Sequence, residues 1–301
     1  MLSKPLMRVL ISLIRGNNGL KTISQQTGFS VSWVSNLLNK LTKLGFCEKE
    51  RKGNLVRYFP SRASPISKLI KLADTEPQFG FEIFLTGLNL RILMFCVLTP
   101  KTIKIIAKNV GTSVKAIQNR VAIMQRRGLL VREKNYQIIS FNPKMYPNLE
   151  EFLKELRFFS GKKANILWKF EKRVLFETRR KEEVEGTLTG FSRYPEFGIP
   201  IYLNTFCCYL PLHKLSKEEI FIHSILEMDH ARLVLLGLTF YLKHKLNRKK
   251  LEELAREYDC LEQLEDLERI LKQEKTRILP FIKESELKEF FEVYGIQWKR
   301  C

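Results

Sequence analysis

One short stretch of the sequence carries side chains well suited to bind another molecule. Residues 31–43 read VSWVSNLLNKLTK, in which hydroxyl and amide groups come first and lysines follow. Serine and asparagine are short donors and acceptors that can bond to the edges of bases in a groove. Lysines attract phosphate groups. The stretch therefore offers groups for recognition of a polyanion.

The same phrase occurs a second time, 83 residues later and without a gap. Residues 28–46 read GFSVSWVSNLLNKLTKLGF, and residues 111–129 read GTSVKAIQNRVAIMQRRGL. The identical positions are Gly28 and Gly111, Ser30 and Ser113, Val31 and Val114, Asn36 and Asn119, and Gly45 and Gly128. The chain therefore contains an internal duplication.

Apolar spacing and turn residues predict the same elements in both copies. In the first copy, PLMRVLISLIRG and KTISQQTG predict two helices, and Ser30 caps a third that ends at Gly45. FCEKERKGNLVRYFP then predicts a basic hairpin. In the second copy, LNLRILMFCVL, TIKIIAKNVG, a helix capped by Ser113 and LLVREKNYQIISFNP follow in the same order. Each copy is thus predicted to be a winged helix-turn-helix.

The third helix of each copy has an apolar stripe that we expect to face inward. The residues of the stripe are Val31, Val34, Leu37, Leu38, Leu41 and Leu44 in the first copy, and Val114, Ile117, Val121 and Met124 in the second. The opposite side of each helix is then free to meet a ligand.

Both copies resemble the winged helix-turn-helix units of prokaryotic transcription regulators, of the broad MarR/ArsR-like kind common in archaea. The pattern TISQQTGFSVSWVSNLLNKLTKLGFCEKE carries the resemblance, which covers residues 5–60 and 88–143. It implies binding to double-stranded DNA, although some winged helices bind proteins instead.

The charge of the chain is concentrated in the duplicated part. Residues 1–160 hold 26 Lys and Arg against 9 Asp and Glu, a net charge of +17, whereas the rest holds 26 against 23, a net of +3. A basic unit neutralises phosphates and releases counterions, which favours nucleic acid as the partner. An ordinary solvated basic surface is the alternative interpretation.

These arguments predict a set of DNA-binding residues. The side chains expected to reach base edges are Ser32, Ser35, Asn36 and Asn39 in the first copy and Lys115, Gln118 and Asn119 in the second. The cations expected to meet phosphates are Lys40, Lys43, Lys49, Arg51, Lys52 and Arg57, and then Arg126, Arg127, Arg132 and Lys134. Trp33 flanks the same face, where it either contacts DNA or packs against a neighbouring segment.

The predicted fold class is α+β, mainly α-helical with small β wings. The expected domains are a first winged helix at 1–62, a connecting helix at 63–84, a second winged helix at 85–147, a second connecting helix at 148–161 and a mostly helical domain with a few short strands at 162–301. In the last domain, KRVLFET and IPIYLNTF predict strands, and Ser216, Asn247 and Ser285 are expected helix caps.

Residues 162–301 are similar to the C-terminal region of AbiEi-type antitoxins through LTGFSRYPEFGIP, LSKEEIFIHSIL and ARLVLLGLTFYL. Arg193 stands where that family has a small residue, and its members have one winged helix rather than two. The resemblance implies an alternative function, an antitoxin or assembly factor that binds a protein partner. The domain is otherwise expected to mediate sensing or a homodimer.

Nothing in the sequence predicts an enzyme, a cofactor or a metal site. The chain has no P-loop, no GxGxxG motif and no spaced aspartates after GTLTGFS. The candidates for a thiol or metal site are Cys207, Cys208, His213, His223 and His230, but their spacing matches no common zinc pattern and NTFCCYL favours a strand in the core. Six cysteines without a CxxC pair, no secretory signal and no membrane-length apolar run predict a cytoplasmic protein.

Overall fold

The computed structural model of the chain describes residues 2–52, 55–133, 138–159, 165–179 and 186–298, with the side chains of Lys52 and Leu55 left out. The chain divides into two units, Met1–Gly161 and Lys162–Cys301. Helices predominate and the sheets are small and antiparallel, which confirms the predicted α+β class. In the described residues, no helix combines the length and apolar character needed to cross a membrane.

The first unit contains two successive sets of elements. The first set comprises α1 (Lys4–Ile14), α2 (Leu20–Thr27), α3 (Val31–Lys43), β1 (Cys47–Lys52), β2 (Leu55–Pro60) and α4 (Ser64–Thr75). The second comprises α5 (Phe81–Phe84), α6 (Gly87–Cys96), β3 (Lys101–Thr102), α7 (Ile103–Val110), α8 (Val114–Arg126), β4 (Leu130–Arg132), β5 (Ile138–Phe141) and α9 (Pro147–Phe158). The pairs α2/α7, α3/α8 and α4/α9 match residue for residue at the offset of 83, so the duplication extends to the helix boundaries.

The sheets of the first unit are hairpins with one addition. Strands β1 and β2 pair antiparallel, with Cys47 opposite Pro60 and Lys52 opposite Leu55. Strands β4 and β5 form the second hairpin, and the two-residue strand β3 pairs with the other edge of β5. Strand β3 was not predicted from the sequence.

The predicted apolar stripes are mostly buried. In α3, Val34, Leu37, Leu38 and Leu41 are buried, as are Ile117, Val121 and Met124 in α8. The first residue of each stripe and the last residue of the α3 stripe were wrongly expected to be buried, since Val31, Val114 and Leu44 are 42%, 41% and 40% exposed. The terminal turns of a helix project beyond the neighbouring helices that cover its centre, and so the periodicity overstates the length of the buried stripe.

An antiparallel pair of helices relates the two copies. Helix α4 packs against α9. The Lys68 ammonium lies 2.7 Å from the carboxylate of Glu151, the equivalent residue of the second copy. Asn148, at the start of α9, donates to the Thr75 hydroxyl at the end of α4, at 3.0 Å. Contacts between equivalent positions arise from a two-fold relation, whereas a head-to-tail repeat joins different positions.

The beginnings of α1 and α6 lie close together in a second contact between the copies. The Gly87 amide donates to the carbonyl of Leu2 at 3.3 Å. Residue 87 is the equivalent of residue 4, so this contact also joins nearly equivalent positions. The first unit is therefore an approximate two-fold arrangement made from one chain.

The second unit combines a four-stranded antiparallel sheet with helices. The strands, in the spatial order β6-β7-β9-β8, are β6 (Asn165–Phe170), β7 (Arg173–Thr178), β8 (Thr187–Leu188) and β9 (Phe206–Leu210). A 3-10 helix spans Gly190–Phe197, and the α-helices are α10 (Lys217–Ile225), α11 (Ala231–Lys243), α12 (Arg248–Glu257), α13 (Leu261–Leu271) and α14 (Glu284–Val293).

Several details of the second unit differ from the prediction. Strand β6 was missed, and IPIYLNTF is irregular up to Phe206, where β9 begins. Ser216 and Asn247 cap α10 and α12 as expected, and Glu219 completes a capping box with Ser216. Ser285 is not a cap, because α14 begins at Glu284 with Lys283 in the cap position. Acidic residues in the first turn favour this earlier start through the helix dipole.

A half-buried carboxyl group, that of Glu227, links the 3-10 helix to the end of α10. The Phe191 amide donates to Oε1 of Glu227 at 3.1 Å. Gly190 has a φ of +55°, and a Cβ atom there would overlap the same Glu227 oxygen. Burial raises the pKa of Glu227 to about 8, so the group is largely protonated at neutral pH.

This carboxyl group predicts a pH dependence of stability. The folded state holds a proton on Glu227 between pH 4.5 and about 8 that the unfolded state releases, so its stabilising contribution falls as the pH rises through this range. In urea unfolding, we expect the unfolding free energy of the wild type relative to Glu227→Gln to fall by up to about 1.4 kcal/mol per pH unit. His223 titrates in both proteins, so its contribution cancels in the difference between their unfolding free energies. A difference that stays constant from pH 5 to 8 contradicts the assignment.

Candidate nucleic-acid interface

The start of α3 is fixed by a glycine and a serine. Gly28 ends α2 in the left-handed conformation, with a φ of +73°, a conformation that glycine adopts without steric strain. The hydroxyl oxygen of Ser30 then accepts a hydrogen bond from the backbone amide of Trp33, at 3.3 Å. The second copy repeats both features, with Gly111 at +66° and Ser113 accepting the Ala116 amide at 3.2 Å. The two capped helices therefore begin in the same way.

The outward face of α3 carries the predicted recognition residues. Ser35 is half-buried, and the other predicted side chains of this face are exposed: Ser32, Asn36, Asn39, Lys40 and Lys43. Their spacing of three and four residues places them along one side of the helix. Short polar groups occupy the first two turns and cations the last, which suits base edges near the helix start and phosphates near its end.

The outward face of α8 has the same placement and a different composition. Lys115, Gln118, Asn119 and Arg126 are exposed at positions equivalent to Ser32, Ser35, Asn36 and Lys43. Between them, Ala122 and Ile123 replace Asn39 and Lys40, and Ile123 is 41% exposed. Arg127 is exposed directly after the helix. The second face is therefore the more apolar of the two in its middle.

The first hairpin divides its cations between two faces. Opposite residues of an antiparallel pair share a face, and neighbours along a strand alternate. Lys49 lies opposite the buried Tyr58, with its ammonium 5.9 Å from the ring centre, and Arg51 shares that face. Arg57 lies opposite Glu50 on the other face. The prediction grouped these cations together, but Arg57 does not share the surface of Lys49 and Arg51.

The second hairpin retains a cation on the corresponding face. Arg132 is the equivalent of Lys49, is exposed and lies opposite the buried Ile139. Arg57 has no cationic counterpart, since Ser140 occupies its equivalent position. The predicted Lys134 and the side chain of Lys52 lie outside the described residues.

Trp33 contacts a neighbouring segment and also remains accessible. Its ring centre lies 4.5 Å from that of Phe29 in the turn between α2 and α3. Phe29 in turn lies 5.3 Å below the guanidinium of Arg8, which binds the carboxylate of Glu82 through two nitrogens. Trp33 is 45% exposed. The expected packing of Trp33 against a neighbouring segment is therefore found in part.

Arg120 is an exposed cation of α8 that the sequence reasoning missed. It lies next to Asn119, but its equivalent in the first copy is Leu37, a buried member of the apolar stripe. The position therefore belongs to neither of the two predicted sets of residues in α8. The charge of the residue was the signal that could have identified it.

The cysteine and histidine residues named as candidates in the second unit differ in their burial. Cys207 and Cys208 are buried in β9, and burial raises the pKa of the Cys207 thiol. His223 is buried and bonds the Thr189 hydroxyl at 2.7 Å, while His230 is exposed beside Asp229. Within the described residues, no group of three His, Cys, Asp or Glu could hold a metal ion.

Comparison with protein-family models and with curated proteins finds no match to this chain. The interpretation of the interface therefore rests on the residues themselves.

The two serine caps predict a local contribution to stability. Ser30→Ala and Ser113→Ala each remove a side-chain bond to an otherwise unpaired helix amide, so each is expected to lower the free energy of unfolding by about 1 kcal/mol. Urea titration of the purified variants measures this. Ser32→Ala is the control, because Ser32 is an exposed serine of the same first turn that takes no part in the cap bond, and it should change the value by less than about 0.5 kcal/mol. Equal effects at all three positions would contradict the capping role.

Proposed function

We propose that the protein is a sequence-specific, double-stranded DNA-binding transcription regulator. The observation that carries the proposal is the pair of capped helices α3 and α8, which expose polar faces at equivalent positions. They belong to a unit with 26 basic against 9 acidic residues in positions 1–160. A face of this kind suits a polyanionic partner with groups that accept and donate hydrogen bonds, which is the chemistry of a DNA groove.

The same proposal interprets each copy as a winged helix-turn-helix. In support, three helices precede a hairpin in both copies, and α3 and α8 each follow a short helix after a tight glycine turn. In this arrangement the third helix enters the major groove and the hairpin reaches the backbone. Lys49 and Arg132 are the hairpin cations that we assign to phosphates.

The two-fold arrangement of the first unit suggests how one chain could bind two half-sites of DNA. Repressor dimers read half-sites one helical turn apart, about 10 base pairs, because their two recognition helices are related by a two-fold axis. We infer that the α4–α9 contact gives α3 and α8 such a two-fold relation within one polypeptide. We therefore propose one chain for each site of two inverted half-sites. The two outward faces differ, so the half-sites differ in sequence.

A cytoplasmic location fits this function. The five described cysteines are buried, including the adjacent Cys207 and Cys208, and we infer that they are reduced thiols. Proteins that keep their thiols reduced are typical of the cytosol, where the DNA of a prokaryote also lies.

The alternative function, an antitoxin-like or assembly factor, has one observation in its favour. The second unit exposes large apolar side chains, among them Tyr202 at 98%, Val293 at 79% and Leu212 at 64%. Such side chains can contact a protein partner or a second copy of the chain. A partner that copurifies from native cells through residues 162–301, combined with no preference among DNA sequences, would favour this alternative.

The proposal predicts a salt-dependent affinity for a duplex that carries the protein's own promoter. The logarithm of the binding constant should fall linearly with the logarithm of salt concentration, as measured by fluorescence anisotropy. Lys43→Gln should weaken all duplexes about equally and reduce the slope by roughly one unit. Lys249→Gln, which removes an exposed charge from the second unit, is the control and should leave the slope unchanged. Affinity that is independent of salt, or equal for promoter and random DNA, would reject the function.

A further inference from the structure

One exposed polar residue is the same in both recognition faces. The six outward positions of α3 and α8 pair Ser32 with Lys115, Ser35 with Gln118, Asn36 with Asn119, Asn39 with Ala122, Lys40 with Ile123 and Lys43 with Arg126. Five of these pairs differ in residue type. Asn36 and Asn119 are therefore the feature that the two faces share.

Packing does not account for this shared asparagine. Both side chains are exposed, and neither forms a side-chain hydrogen bond or ion pair with the described part of the chain. Asparagine also has a lower helix propensity than alanine or glutamine, so the helices gain no stability from it. Both amide groups are free to bond to a ligand.

The chemistry of the amide specifies one base better than the others. Its oxygen accepts from N6 of adenine while its nitrogen donates to N7, and the two bonds together require an adenine edge in the major groove. Asn36 and Asn119 lie in the second turn of their helices, in the amino-terminal half that approaches the bases. Each is therefore well placed for a bidentate contact.

The two-fold relation determines which strands carry these bases. The contact of Lys68 with Glu151 joins equivalent residues of antiparallel helices, so the two copies face a duplex in opposite directions. Equivalent side chains then reach equivalent positions on opposite strands. The remaining outward residues differ, so the surrounding bases need not match.

We propose that the DNA bound by this chain is an imperfect inverted repeat with one adenine at the same position of each half-site, read by Asn36 in one half and by Asn119 in the other. Lys115 marks the second half-site, because lysine favours guanine and Ser32 at the equivalent position lacks that preference. This inference rests on the proposed function, since it names the class of DNA sequence that the two faces recognise.

Selection from a random duplex pool, followed by sequencing, tests the proposal on the full-length chain. The wild type should enrich an inverted repeat with adenine at the two related positions. Asn36→Ala should reduce the preference for adenine about tenfold in one half-site only, and Asn119→Ala should do so in the other. Asn39→Ala is the control, because Asn39 has no asparagine counterpart, and it should alter a different position in the first half-site alone. Thermal melting should show that all three variants remain folded.

The outcomes separate this inference from the proposed function. Absence of any enriched sequence rejects sequence-specific binding itself. An enriched sequence without inversion, or one whose adenine preference survives both asparagine substitutions, rejects the inference while leaving the regulator function in place. Loss of preference at both half-sites from a single substitution also rejects it, because each asparagine would then not act on its own half-site.

Discussion

The packing of α4 against α9 is the interaction on which the arrangement of the first unit depends. Each helix follows its hairpin, and their antiparallel contact joins equivalent residues of the two copies. Leu69 and Phe152 are buried, equivalent residues of this pair, as are Ile66 and Leu149, while the Lys68–Glu151 ion pair is partly exposed and adds little stability. Apolar burial therefore holds the two copies in register, and the ion pair marks the axis that relates them.

Under the proposed function, this contact would supply within one chain the two-fold relation that DNA-binding dimers obtain by association. In a homodimer both faces must be identical, so the preferred site is symmetric. Within one polypeptide the two faces can differ while the scaffold keeps their relation. Ala122 and Ile123 in α8, against Asn39 and Lys40 in α3, are such differences on helices of equal length.

Much of the first unit could be predicted from the sequence, because its signals are local. Apolar period, glycine turns and serine caps identified α2, α3, α7 and α8, and the gapless offset identified the duplication. Strand β3 was missed because two residues are too few to show an alternation of apolar and polar side chains. They form a strand only by pairing with the distant β5. The antiparallel contact of α4 and α9 was missed for the same reason, since it depends on residues 83 positions apart.

The candidate site was predictable in composition and less so in orientation. Polar residues opposite the apolar stripe are exposed, as their helical spacing indicates. Arg57 was grouped with Lys49 and Arg51, although strand alternation and its pairing with Glu50 place it on the other face. In the second unit, the start of α14 was predicted wrongly. Serine is the preferred cap residue, which favoured Ser285, but Lys283 occupies the cap position.

Hydroxyl-radical footprinting of the protein on a selected duplex shows whether one chain contacts DNA with both helix faces. Binding by both faces predicts two protected patches on one side of the duplex, about one helical turn apart, at a stoichiometry of one chain for each duplex. A single protected patch, or two patches that appear only when two chains are bound, would contradict it.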